Sequence, residues 1–372
     1  MTTSLELRSL LHPTGEIEIS LEEITLPALA ADQILVRVEA TPINPSDLGL
    51  LFGPVDPKHL TVGSNAHGPT LRASVPKTLM PSLQGRVGQS MSVGNEGAGV
   101  VIDAGESARA LLGKTVALLG GAMYATHRIA RMKDALVLPD GTPARAGASC
   151  FVNPLTALSM VEVLRREKHT ALVHTAAASN LGQMLVKICQ AERIPLVNVV
   201  RSEAQVALLR GLGAEHVLDS STPSFQADLI EAMKTTGATL AFDAIGGGKL
   251  AGQILFAMES AAVSQMTTYS RYGSPKHKQL YVYGALDLGA TEIPRAIGLS
   301  WSVSGFLVTY FLQTLPPEDV MRMRKRIVDE LTTTFASHYT DTISLRDVLD
   351  PDKVVTYTKK STGAKVLVDP TR

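Results

Sequence analysis

Past residue 153 the chain alternates two textures. Short apolar runs, rich in Val, Ile and Leu, give way to longer stretches whose apolar positions recur every three or four residues. This spacing predicts strands over 171–175, 195–200, 216–219, 239–243 and 280–283, interleaved with helices over 181–191, 203–212, 225–235 and 249–258. Such alternation marks a parallel sheet with helical crossovers. Ser202-x-x-Gln205 reads as a capping box, and Gly211 and Gly213 suit a helix end. A closing strand is expected over 303–308, an amphipathic helix over 318–331 and a last strand over 364–368. The first 150 residues read differently. Residues 34–40 alternate apolar and polar, and 100–102 and 115–119 are apolar runs flanked by glycine, as in the strands of a barrel or sandwich. Between the two textures, Leu158, Val161 and Leu164 line one face of a helix over 156–166. The stretches 56–93 and 262–279 carry little periodicity and read as long loops.

Composition adds boundaries to this picture. A length of 372 residues is enough for two cores, and 45% hydrophobic residues against 19% charged excludes a disordered chain. Lys plus Arg and Asp plus Glu both number 35, so no net charge favours a nucleic-acid partner. The two cysteines, Cys150 and Cys189, are too few for a disulfide framework or a four-thiolate zinc site. The opening residues lack an apolar core of the secretory kind, and the longest apolar run noted, 304–315, is too short for a bilayer. The expectation is a soluble, cytoplasmic protein without a membrane partner.

The turn after the strand at 171–175 reads Ala176-Ala177-Ala178-Ser179-Asn180-Leu181-Gly182. Small residues there let the amides of a helix N-terminus approach a pyrophosphate. Ala177, Ser179 and Gly182 occupy the places of a G-x-G-x-x-G pattern, so only one glycine of three is kept, and a plain strand-to-helix turn fits equally well. The next strand ends at Val200 and is followed by Arg201, where a parallel-sheet dinucleotide fold keeps an acid for the 2′-hydroxyl of NAD. A guanidinium pairs with a 2′-phosphate that a carboxylate would repel, so the cofactor read here is NADPH.

Several segments in order carry a family resemblance. Ile43-Asn44-Pro45-Ser46-Asp47, Gly94-Asn95-Glu96-Gly97-Ala98-Gly99-Val100-Val101, Asn153-Pro154-Leu155-Thr156-Ala157, Asn198-Val199-Val200-Arg201, Leu212-Gly213-Ala214-Glu215-His216-Val217 and Thr362-Gly363-Ala364-Lys365-Val366 together resemble the medium-chain dehydrogenase/reductase superfamily. The likeness is to its zinc-free quinone oxidoreductase and trans-2-enoyl-thioester reductase branch. It implies an α/β plus β fold, a GroES-like barrel catalytic domain with a Rossmann doubly wound parallel-sheet domain. The barrel domain would take 1–152, the NADPH-binding domain 153–308, and the chain would return to the catalytic domain over 309–372. By the same resemblance Asn44 and Thr156 are the candidate catalytic residues beside the nicotinamide. The cofactor set is Asn44, Thr156, Ala178, Ser179, Asn180, Leu181, Arg201, Ile245, Gly284, Ala285 and Leu286. The zinc-ligand positions of the metal-dependent relatives hold Asn44, Asn95 and Pro154, none of them a zinc ligand, so no metal is expected.

Reduction of a conjugated double bond needs no Lewis acid, because the carbonyl oxygen receives the electron density. The expected activity is therefore zinc-independent hydride transfer from NADPH to a quinone or an α,β-unsaturated carbonyl compound. A 2-enoyl-thioester (acyl-CoA or acyl-carrier-protein) reductase is the alternative, and a non-catalytic NADPH-binding structural or regulatory protein is the alternative of another class. The thioester reductases carry a catalytic tyrosine where this chain has Val55, so no proton donor is assigned. Ser46, Asp47 and Tyr124 read as structural. The 56–93 loop is a candidate roof over the substrate, with His67, Arg72 or Lys77 facing it. The 262–279 loop is expected to lie away from the chemistry and is a candidate for subunit contacts. Phe306, Leu307, Val308, Tyr310 and Phe311 form either a homodimer surface or core.

Overall fold

The computed structural model describes residues 2–359 and 365–372. Thr362, Gly363 and Ala364 of the last family-like segment, and the start of the strand expected at 364, lie outside the described residues. Contacts divide the chain into two units, 1–152 with 326–372, and 153–325.

The first unit is built mainly from antiparallel strands, with one parallel pair where Asp341–Ile343 joins Val366–Val368. A five-stranded sheet runs in the order Thr61–Asn65, Gly68–Ser74, Glu16–Thr25, Thr3–Leu11, Ser90–Ser92. A second runs Leu136–Val137, Thr115–Leu119, Glu96–Ala104, Gln33–Pro42, Val366–Val368, Asp341–Ile343, with His127–Arg131 also pairing onto Gln33–Pro42. The alternation read at 34–40 puts Ile34, Val36 and Val38 into a core with Val101, Val116, Leu118 and Met123. Gly99 is dictated by the same pairing: a Cβ there would stand 2.0 Å from the Arg37 carbonyl oxygen of the neighbouring strand. The stretch 56–93 departs from the loop expectation. Two of its segments pair as a hairpin that adds to the Glu16–Thr25 strand, and Val55, Ala73 and Val75 bury a satellite core with Leu11 and Ile17. Arg72 ion-pairs with Glu18 at 2.8 Å, so it serves the sheet. The polar, Gly- and Ser-rich exposed face of this hairpin hid the period-two pattern.

The second unit carries a six-stranded parallel sheet, ordered His216–Asp219, Leu196–Val200, Leu172–His174, Leu240–Asp243, Lys278–Val282, Trp301–Gly305. Every neighbouring pair is parallel. Strand order reverses between Leu172–His174 and Leu240–Asp243, and ligands of such sheets bind beyond the carboxyl ends at that switch point. Val173, Val197, Val199 and Leu280 from the sheet pack with Phe225, Leu229, Ile254, Leu255 and Met258 from helices. The helix expected to end at 258 continues to Ser264, which shortens the polar stretch before Lys278.

The return to the first unit falls at 326, not 309. Helices Val308–Gln313 and the greater part of Pro317–Asp329 stay with the parallel sheet. Asp319 and Arg322 explain why: Asp319 accepts from Arg166, and Arg322 reaches Glu162, both on the linking helix Val152–Arg166. The residues 306–311 differ in burial. Phe306 packs with Phe242 and Tyr281, edge-on to Phe242 at 5.3 Å, and Phe311 packs on Phe306, while Leu307 and Tyr310 are exposed. The run 144–166 is as long and apolar as a membrane span and outlasts the 304–315 run; it is mostly buried inside the protein, as a core helix is.

Candidate active site

At the switch point of the parallel sheet one carboxylate organises three loops. Asp243 ends its strand and is fully buried. Its Oδ1 accepts the Thr175 hydroxyl at 2.7 Å and the Ile245 amide at 3.0 Å, and Oδ2 accepts the Gly246 amide at 3.0 Å. Thr175 Oγ1 in turn accepts the Ala244 amide at 2.8 Å. The Leu286 amide donates to the Ala244 carbonyl and the Asp287 amide to the Ile245 carbonyl. Ile245, Gly284, Ala285 and Leu286 are thereby gathered beside the turn that follows Leu172–His174. Gly284 is required by close approach, since a Cβ would lie 2.5 Å from the Ala244 oxygen.

The turn itself is tight. Ala176 takes a left-handed φ of 49°, Ala177 and Ala178 are buried, and the Ala177 amide donates to Val199 of the adjacent strand. Ser179 caps the helix Asn180–Glu192, its hydroxyl accepting the Gly182 amide at 3.2 Å. A side chain at Gly182 would meet the Ala177 oxygen at 2.1 Å, so this one glycine lets the helix press against the turn. The N-terminal amides of Asn180 and Leu181 thus open a helix over a cradle made of small residues. Arg201 stands exposed two residues past Val199, next to that cradle. The expected capping box does not form: Gln205 Oε1 accepts the Arg201 amide at 2.9 Å, and the Ser202 side chain makes no cap bond. Small cradle, helix N-terminus and adjacent guanidinium fit a dinucleotide with a 2′-phosphate. Thr156 is buried on the linking helix of the same unit.

Beneath these loops His174 stacks on Tyr283 and its Nε2 lies 2.7 Å from the phenol oxygen. Burial holds the imidazole neutral, lowering its pKa to about 3, and raises that of Tyr283.

In the barrel unit a second carboxylate does comparable work. Glu96 is fully buried; Oε1 accepts the Asn44 side-chain amide at 2.9 Å, and Oε2 accepts the amides of Phe151 and Val152, both at 2.9 Å. Only the Asn44 nitrogen can donate to a carboxylate, so its Oδ1 faces away from Glu96. Asp47 accepts the amides of Asn44 and Asn95, both at 2.8 Å, and Asn95 donates to Ser46 Oγ at 2.9 Å. Burial pushes the Asp47 carboxyl up to about 7, with Glu96 adding to the rise. Tyr124 is buried with its hydroxyl on the Pro42 carbonyl, and Val55 is core. Lys365 sits one residue before the strand that bonds Ile43; its ammonium is buried without a hydrogen-bond partner among the described residues, 5.8 Å from the Tyr339 ring. The amides of Asn44 and Asn95 and the ring of Pro154 do not make a zinc site. Among the described residues no three His, Cys, Asp or Glu side chains gather as a metal site would need.

Sequence reasoning missed Asp243, Glu96 and the His174–Tyr283 pair as organising groups. The available signals were an acid closing an apolar strand and a lone glutamate among glycines.

No family profile matches the chain. By sequence it is 30% identical over 208 residues to the mitochondrial enoyl-[acyl-carrier-protein] reductase of Mus musculus, covering 54% of this chain and 48% of that protein. The chain therefore spans about half the length of that relative. By structure it resembles a Mesorhizobium loti protein described as an NADPH:quinone reductase, with TM-score 0.72, 24% identity and coverage of 100% and 99% of the two chains. It also resembles Etr1p, solved with NADP and crotonyl-CoA, with TM-score 0.71, 18% identity and coverage of 99% and 100%. The fold is that of these solved reductases, and both quinone reductases and enoyl-thioester reductases occur among the similar proteins.

Proposed function

We propose that the chain is a zinc-independent, NADPH-dependent reductase acting on a quinone or an α,β-unsaturated carbonyl compound. The observation that carries the reading is the cradle at 176–182 with Arg201 beside it at the switch point of the sheet. Bound NADPH would supply the hydride. Ala178, Ser179, Asn180 and Leu181 would hold the pyrophosphate through backbone amides and the helix N-terminus, and Arg201 the 2′-phosphate. Ile245, Gly284, Ala285 and Leu286, fixed through Asp243, would flank the nicotinamide. Asn44, oriented by Glu96, and Thr156 are proposed as its polar contacts. With Val55 at the tyrosine position, solvent would supply the proton to the reduced substrate.

A second reading, a 2-enoyl-thioester reductase, is favoured by the enoyl-[acyl-carrier-protein] reductases among the sequence relatives. Absorbance at 340 nm separates them, with NADPH and NADH offered against quinones, small enones and crotonyl-CoA. Turnover with quinone or enone and little with crotonyl-CoA is expected. Preference for crotonyl-CoA would install the second reading, and tight NADPH binding with no oxidation on any acceptor would leave a non-catalytic binder. A homodimer through the edge strand Trp301–Gly305 is part of the proposal, supported by Leu307 and Tyr310, 51% and 69% exposed. Sedimentation of Tyr310→Glu beside the parent chain tests it.

A further inference from the structure

The polar stretch before Lys278 remains unaccounted for by any role at the carboxyl ends of the sheet. Together with residues 295–299 it lines an open, solvent-exposed hollow of about 470 Å³ at the opposite, amino-terminal end of the strands Lys278–Val282 and Trp301–Gly305. Its floor is a buried ion pair. Glu259 Oε2 lies 2.5 Å from Lys278 Nζ, and Oε1 accepts the Ser274 amide at 2.8 Å. Lys278 also donates to the Lys276 carbonyl at 3.0 Å. Both charges are thus answered within the protein, as a buried pair requires.

Two glycines fasten the walls to that floor. Gly273, at φ 85°, would place a Cβ 2.2 Å from Glu259 Oε1, and Gly298, at φ 65°, would place one 2.5 Å from the same atom. Both need a left-handed backbone and the absence of a side chain. The rims they hold carry two guanidiniums. Arg271 lies over the Tyr272 ring at 4.6 Å and donates to its hydroxyl. Neither Arg271 nor Arg295 pairs with a carboxylate among the described residues. Val263 and Leu299, 45% and 75% exposed, add apolar wall. A neutralised floor below two unpaired cations leaves the hollow positive, and guanidiniums match a phosphate bidentately.

We propose that this hollow is a second ligand site, taking a phosphate-bearing small molecule whose phosphate lies between Arg271 and Arg295. The organic part rests against Tyr272, Val263 and Leu299. The site is separated from the candidate cofactor cradle by the length of the sheet, and it does not depend on the reductase reading.

Calorimetric titration of the full chain with inorganic pyrophosphate and with AMP tests this, in the parent and in an Arg201→Asp background that removes the guanidinium beside the cofactor cradle. Binding that persists in the Arg201→Asp protein and weakens at least tenfold with Arg271→Gln and with Arg295→Gln is expected. AMP should bind more tightly than pyrophosphate and lose that advantage in Tyr272→Ala. Binding abolished by Arg201→Asp, or unchanged in the Arg271→Gln/Arg295→Gln double variant, overturns the proposal, as does no binding at all. Circular dichroism of each variant, and its unaltered unfolding midpoint, guards against loss of fold.

Discussion

The two units fix their candidate site loops with the same device, a buried carboxylate that collects backbone amides, yet they draw the partners from different distances. Asp243 takes the amides of its own turn, Ile245 and Gly246, and adds Thr175 from the neighbouring strand. Glu96 takes nothing local: Asn44, Phe151 and Val152 all come from more than fifty residues away in the chain. In the parallel sheet the strands themselves deliver the loops to one end, so the acid only has to lock what topology has assembled. In the antiparallel barrel no such end exists, and the carboxylate itself ties Asn44 to the entry of the linking helix. The lesson is that loss of Asp243 loosens loops already in place, whereas loss of Glu96 removes the tie that sets Asn44.

The largest effect should come from breaking the first lock. Asp243→Ala strands the buried Gly246 amide, the half-buried Ile245 amide and the Thr175 hydroxyl, each costing about 1–3 kcal/mol when left unsatisfied in the interior. We expect roughly 3 kcal/mol lost from the parallel-sheet unit and NADPH affinity reduced at least tenfold. Trp301 is the single tryptophan and lies in that unit, so its fluorescence during urea unfolding reads the loss there. A barrel unit destabilised by the same amount would contradict a local lock. Glu96→Gln is the mirror experiment. Its amide has one acceptor oxygen where three donors converge, and about 2 kcal/mol should be lost. NADPH affinity, measured by fluorescence, should change little while turnover falls; an unchanged turnover would disconnect Asn44 from the chemistry.

Arg201→Asp should leave stability within about 0.5 kcal/mol, as exposed substitutions do. It should shift the NADPH-to-NADH preference by about tenfold or more toward NADH, read from kcat/KM with each cofactor. An unaltered ratio would withdraw the guanidinium from the 2′-phosphate.

Per pH unit the smallest effect separates the units by acidity. His174, at about 3 when folded against an ordinary 6.5, binds its proton only in the unfolded chain over that window, so stability falls as pH drops from 6.5 toward 3. Asp47, at about 7 against an ordinary 3.8, binds its proton in the folded chain, so stability falls as pH rises from 3.8 to 7. Each slope is about 1 kcal/mol per pH unit, of opposite sign between pH 4 and 6.5. His174→Gln should flatten the Trp301-monitored acid loss and leave the barrel's slope standing; Asp47→Asn should do the reverse. Identical profiles in both variants would mean that the two groups do not titrate as their burial implies.

How much of this was legible beforehand depends on how local its cause is. The strands of the parallel sheet and the helices between them follow from period and composition, which act over ten or fifteen residues, and their boundaries moved by up to three residues apart from the helix running on to Ser264. The tight turn at 176–182 was readable because its run of small residues sits between an apolar strand and a helix; that it cradles a phosphate beside Arg201 belongs to the proposal. The hairpin within 56–93 was not readable, because its polar exposed face erased the alternation and only pairing with Glu16–Thr25 makes it sheet. Residues 309–325 joined the second unit because of ion pairs to Glu162 and Arg166, partners about 150 residues distant. Sequence by itself therefore determined the repeating elements and the tightness of one turn, where neighbours in the chain are neighbours in space. Tertiary structure alone decided which carboxylates hold the site loops and which arginines share the far hollow, because a hydrogen bond between residues far apart in the chain leaves no periodic trace in either partner.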